Sequence, residues 1–112
     1  MEQEFKQKLS ELSVLQDWVR EYMRTEDHRD PFYRANIVQY ELGDLVKMIV
    51  YRKAYGDKRW SEAEAETALG DLLVMIFCLA DILGLDIFKA IVHGVERLED
   101  KNWRRRMDRS KK

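Results

Sequence analysis

The sequence predicts an all-α protein, a four-helix bundle forming one domain over residues 1–112 with a basic tail from about residue 104. Three observations predict it. Apolar residues recur at three- and four-residue steps along most of the chain, the spacing that gathers side chains on one side of a helix. Helix-start and helix-stop residues punctuate those stretches. No β-branched run alternates with polar residues between turn signals, as a half-buried strand requires. A length of 112 residues allows one core, and a single Pro with five Gly leaves few places for loops.

The first helix is expected over residues 4–24, with Phe5, Leu9, Leu12, Leu15, Val19 and Tyr22 or Met23 forming one stripe. The polar stretch Thr25-Glu26-Asp27-His28-Arg29 interrupts it, and Asp30-Pro31 then supplies an N-cap followed by proline in the first turn. A second helix is expected over 31–54, closed by Gly56 as a left-handed C-cap. Ser61-Glu62-Ala63-Glu64 reads as a capping box opening a third helix that ends near Leu83-Gly84. Asp86 caps a fourth, expected over 87–104.

Composition excludes several classes. Cys78 is the only cysteine and His28 and His93 the only histidines, so neither an intramolecular disulfide framework nor a zinc-ligand spacing exists. The opening Met1-Glu2-Gln3-Glu4-Phe5-Lys6 lacks the basic and apolar regions of a secretory leader, which makes the cytoplasm the expected location. The longest apolar run, residues 72–80, is nine residues, against roughly 18 to 20 for a bilayer span, so no membrane partner is expected. Net charge is −1, yet the last ten residues hold six Lys or Arg against one Asp, leaving residues 1–102 acidic. An acidic body disfavours nucleic acid as a partner, because phosphate binding rewards a cationic face.

Residues 72–83 are apolar on almost every side of the third helix. Three neighbouring helices cannot cover a helix completely, so part of that surface is expected against a second copy, in a dimer or tetramer.

The chemistry is expected where carboxylates border apolar stripes. In the second helix Val38, Leu42, Leu45, Val46 and Ile49 are the expected buried face, with Glu41 and Asp44 side by side at its edge. In the third, Asp71 adjoins Leu72 and Met75. Three carboxylates facing one another across two helices repel unless a cation sits among them. Mg²⁺ suits such a place, since it takes carboxylate oxygens, keeps waters and shares substrate phosphates.

The segment Asn36-Ile37-Val38-Gln39-Tyr40-Glu41-Leu42-Gly43-Asp44-Leu45-Val46 resembles the first motif of the MazG-like nucleotide pyrophosphohydrolases, written around Glu-Leu-Gly-Glu-Leu. Thr67-Ala68-Leu69-Gly70-Asp71-Leu72-Leu73 resembles the second motif, a glutamate three residues before an aspartate. Trp18-Val19-Arg20-Glu21-Tyr22 is similar to the family's N-terminal helix, and Ala80-Asp81-Ile82-Leu83-Gly84-Leu85-Asp86-Ile87 to its last interhelical turn. The likeness runs from about residue 12 to about 105. It implies an all-α domain that uses Mg²⁺, or Mn²⁺, to convert a nucleoside triphosphate to a monophosphate and pyrophosphate. Glu41, Asp44 and Asp71 then become catalytic residues and metal ligands.

Three positions depart from the pattern. Tyr40 stands where the family has its leading glutamate, Asp44 replaces a glutamate, and Ala68 replaces the second motif's glutamate. Glu64, one turn earlier on the same face, is a substitute ligand, although the capping box also claims it. Loss of one carboxylate keeps a second reading open, a weakened or inactive relative that binds nucleotides or protein.

Lys101 and Asn102 correspond to a stretch that reaches the nucleotide in the family, and Trp18 offers a surface for a base, which makes these three the expected substrate-binding residues. Lys47, Arg52 and Lys53 either meet phosphate or simply complement the helix dipole. Asp81 is expected to contact an arginine, and Cys78 to be core.

Overall fold

The structure, a computed structural model, describes residues 1–26, 29–100, 105, 106, 108 and 109. Five α-helices follow one another: α1 (Gln3–Leu9), α2 (Leu12–Arg24), α3 (Pro31–Tyr55), α4 (Glu62–Leu83) and α5 (Ile87–Glu99), with a short 3₁₀ turn at Asp57–Arg59. Among the described residues there is no strand.

The helix starts expected from sequence are present. Asp30 accepts from the Phe32 N–H at 2.9 Å, Ser61 from the Glu64 N–H at 3.3 Å, and Asp86 from the Lys89 N–H at 3.0 Å. Each satisfies an N–H that has no partner within its helix. Gly84 ends α4 in the left-handed region, at φ 69° and ψ 27°. Gly56 differs from the expected C-cap. Its φ of 88° is positive, but its ψ of −179° is extended, a combination open essentially only to glycine. That conformation swings the chain directly into the 3₁₀ turn.

One expected boundary is corrected. The first helix is not continuous, because the chain tightens at Ser10 and Glu11: the Ser10 N–H is shared between the Lys6 and Gln7 carbonyls, and the Glu11 N–H reaches Lys8. Ser10 Oγ also donates to the Gln7 carbonyl, the kind of local bond by which serine competes with a helix. Helix α5 ends at Glu99, where Asp100 adopts extended backbone at φ −70° and ψ 117°; the expected end near 104 lies outside the described residues.

The core lies between α2, α4 and α5. Val19 and Met23 of α2 meet Phe77, Cys78 and Ala80 of α4 and Ile87 of α5, with Val74, Met75, Ile82 and Ile91 packed around them. Sequence periodicity did not single out Gln16, which is buried at 5% exposure. Its Nε2 donates to the Leu85 carbonyl at 2.7 Å and its Oε1 accepts from the Ile87 N–H at 2.9 Å, tying α2 to the α4–α5 turn. Asp81 makes the expected arginine contact twice, with Arg20 at 3.4 Å and Arg29 at 3.3 Å.

Helix α3 packs chiefly along α4, and the expected face of α3 is only partly covered, with Val38 and Leu45 half-buried. Leu42, Val46 and Ile49 are exposed at 47, 46 and 52%, while Glu41 and Asp44 are half-buried toward α4. The only buried residue of α3 is Arg34, paired with Glu26 at 3.5 Å. Packed chiefly on α4, α3 turns Glu41 and Asp44 inward beside Val38 and Leu45 and leaves the rest of its apolar stripe outside. On α4, Leu69, Leu73, Ile76 and Leu83 are likewise exposed. The accessible surface is 8900 Å², against roughly 6500 Å² for a compact monomer of this mass. Among the described residues no single helix is long and apolar enough to cross a membrane.

Candidate functional site

A cavity of about 600 Å³ opens between α3 and α4. Helix α3 supplies Glu41, Asp44, Lys47, Met48 and Tyr51, at the three- and four-residue intervals that form one ridge. The short connection over residues 56–61 folds α4 back along α3, and α4 contributes Ala63, Glu64, Thr67, Ala68 and Asp71. Arg59 of the 3₁₀ turn completes the lining.

The cavity has two unlike ends. At one lie Glu41, Asp44 and Asp71: the Glu41 carboxyl is pushed above its ordinary value of 4.5, first by desolvation, then by the charges of Asp71 and Asp44. Removing water disfavours the anion, and two like charges disfavour it further. At the other end Arg59 lies over the rings of Tyr51 and Tyr55, with its guanidinium carbon 5.9 and 5.2 Å from their centroids. Lys47 Nζ sits 5.5 Å from the Tyr51 centroid. Among the described residues, none of the four carboxylates forms an ion pair with either cation.

Of the residues expected at the site, Glu41, Asp44, Asp71 and Glu64 all border this cavity. Glu41 and Asp44 are half-buried, and Asp71 and Glu64 stand at the exposed rim. The capping box is only half made, because Ser61 accepts from the Glu64 N–H while the Glu64 carboxylate makes no bond back to it. That carboxylate lines the cavity instead, though the helix rise sets it ~10 Å along the axis from Asp71. Ala68 lies between them on the cavity wall, so the family's missing glutamate would have pointed into this space.

Trp18 lies elsewhere, on α2, exposed at 60% and stacked parallel to Tyr22 at 5.8 Å. Lys101 and Asn102 lie outside the described residues. Of the three cations after the first motif, Lys47 reaches the cavity, whereas Arg52 is held by Asp57 at 3.0 Å and by the Trp60 ring at 4.6 Å. Sequence reasoning missed Arg59, because nothing in its local pattern shows that the turn after Gly56 folds back over Tyr51.

At the carboxylate end the ionised form of Glu41 is disfavoured by desolvation and by its acidic neighbours, and a positive charge among them would favour it. Among the described residues no three or more His, Cys, Asp or Glu side chains group closely enough to hold a metal ion by themselves. Open carboxylate sets of this kind suit a hydrated ion completed by substrate oxygens rather than one held by protein alone. No protein-family model, no curated protein and no solved structure matches the chain, so the family likeness rests on the two motifs and their flanks.

Proposed function

We propose that this protein is a MazG-like, Mg²⁺-dependent nucleoside triphosphate pyrophosphohydrolase. The observation that carries the reading is the meeting of Glu41, Asp44 and Asp71, from two motifs on two helices, at one end of an open cavity that also holds Lys47 and Arg59. The reaction adds water across one phosphoanhydride bond, so that a ribo- or deoxyribonucleoside triphosphate becomes a monophosphate and pyrophosphate. A bound Mg²⁺ or Mn²⁺ supplies neutralisation of phosphate charge and a water of lowered pKa. Glu41, Asp44 and Asp71 would hold that ion, whereas Glu64, ~10 Å farther along α4, borders the rest of the cavity. The protein's own part is positional, as in other phosphoryl chemistry, where placement and charge do most of the catalytic task.

The active species is proposed to be a cytoplasmic homo-oligomer, dimer or tetramer. Support comes from the exposed stripes Leu42, Val46, Ile49 and Val50 on α3 and Leu69, Leu73 and Ile76 on α4, which lie on the helices that carry the site. Contiguous apolar faces of this kind mark association surfaces. Ala68 on the cavity wall favours a second reading, a relative that binds nucleotides with little or no turnover.

The test is pyrophosphate release from a panel of standard and modified nucleoside triphosphates, with and without Mg²⁺, for the wild type and Asp71→Asn. Metal-dependent release that Asp71→Asn abolishes is the expected result. Nucleotide binding without release establishes the second reading, and absence of both rejects the two together.

A further inference from the structure

Among the described residues, several arginines are answered by carboxylates. Arg52 is paired with Asp57. Arg20 and Arg29 share Asp81, and Arg34 takes Glu26. Among the described residues Lys47 and Arg59, by contrast, make no ion pair and lie against ring faces, although Glu64 borders the same cavity and Asp44 lies one turn from Lys47. A guanidinium lying on aromatic faces keeps its in-plane N–H donors free for an incoming oxyanion. The rings fix its place without neutralising it.

The cavity therefore carries both signs of charge, with Glu41, Asp44 and Asp71 at one end and, toward the other, the ring-held Arg59 and Lys47 with Glu64 at the exposed rim. Helix geometry sets Lys47 ~5 Å along α3 from Asp44, and Tyr51, whose ring carries Arg59, ~6 Å further. A ligand that satisfies both ends carries a cation at one end and extends as an anion toward the other. A metal-bound chain of linked phosphates has that form, whereas a single phosphate has no length to span it.

We propose that Arg59, assisted by Lys47, binds the phosphate chain of the substrate beyond the metal-held end and so selects for a triphosphate over shorter phosphates. The assignment rests on the pyrophosphohydrolase reading for its orientation, but Arg59 and Lys47 have no place in the two motifs that suggested that reading.

The experiment is calorimetric titration of the full chain with inorganic tripolyphosphate and with orthophosphate, in Mg²⁺ and in chelator, for wild type, Arg59→Gln, Arg59→Lys and Lys47→Gln. Circular dichroism checks that each variant folds. Loss of charge-assisted bonds to phosphate predicts that Arg59→Gln weakens Mg²⁺-tripolyphosphate binding about tenfold to a hundredfold. Arg59→Lys falls between, Lys47→Gln loses less, and the orthophosphate affinity and the Mn²⁺ affinity of the free protein stay unchanged. Wild-type affinity in Arg59→Gln overturns the proposal, as does an equal loss for orthophosphate. If Arg59→Gln does not fold, Lys47→Gln decides, and no change in tripolyphosphate affinity there overturns it.

The two readings fail separately. Arg59-dependent tripolyphosphate binding without pyrophosphate release from any nucleotide leaves the phosphate site standing and removes the enzyme. Pyrophosphate release with an unchanged KM in Arg59→Gln does the reverse. A wild type that binds no tripolyphosphate overturns the proposal outright.

Discussion

Asp44 of α3 and Ala68 of α4 line the same cavity, an acid and a methyl group on opposite walls. The space in front of Ala68 is where a further carboxylate would reach the acidic end, with Asp71 one turn away on the same helix. Ala68→Glu should tighten Mn²⁺ binding by about tenfold or more, the scale on which even outer ligand-shell changes act. Metal titration followed by Mn²⁺ paramagnetic resonance measures it, and pyrophosphate release should rise in parallel. Unchanged metal affinity would show that the introduced carboxylate does not join Asp44 and Asp71.

The raised Glu41 carboxyl predicts how stability depends on pH. Because its folded value lies above the ordinary 4.5, the folded state binds this proton more tightly than the unfolded chain. The associated stability is fully present below pH 4.5 and is lost as pH rises through the raised value. Metal-free protein should therefore lose part of its thermal stability over that interval, and Glu41→Gln should flatten the loss. A divalent cation should oppose it, stabilising more as pH rises and the carboxylates ionise. Melting temperature against pH, with and without Mg²⁺, is the measurement.

Gln16 joins α2 to the α4–α5 turn with both ends of its amide, to Leu85 and Ile87. Gln16→Ala leaves two backbone groups without their partner in a buried place and should cost about 2–4 kcal/mol. Gln16→Glu keeps the acceptor for the Ile87 N–H but loses the donor to the Leu85 carbonyl. Its destabilisation, read by urea unfolding, should grow as pH rises and the new carboxyl ionises.

The apolar stripes on α3 and α4 predict a concentration-dependent assembly. Val46→Glu or Leu73→Glu places a charge in each copy of a face that meets its own image in a two-fold interface. Sedimentation velocity should find the wild type larger than 13.5 kDa and both variants monomeric. A monomeric wild type would leave those stripes without the proposed cover.

Helix starts and stops were legible because they are local. Asp30 with Pro31, Ser61, Asp86 and Gly84 act within a few residues of themselves, and each performs in the structure the capping role its sequence position implies. The motif carboxylates were legible in the same way, since Glu41 and Asp44 share a face by spacing alone. The rotation of α3 about its axis was not. Apolar residues lie on several of its sides, so periodicity selected Val38, Leu42, Leu45, Val46 and Ile49 for burial, whereas packing on α4 half-buries Val38 and Leu45 with Glu41 and Asp44 and leaves Leu42, Val46 and Ile49 exposed.

What the chain alone determined is its helical class, the caps that delimit the segments and the carboxylates gathered on two of them, all consequences of contacts within a turn or two. Tertiary structure decided which side of α3 faces inward, that Gln16 bridges to Leu85 and Ile87, and that the turn after Gly56 carries Arg59 over Tyr51 into the cavity. Those outcomes depend on how separate helices settle against one another. The free energy that chooses among such packings is spread over residues far apart in sequence, where no local pattern records it.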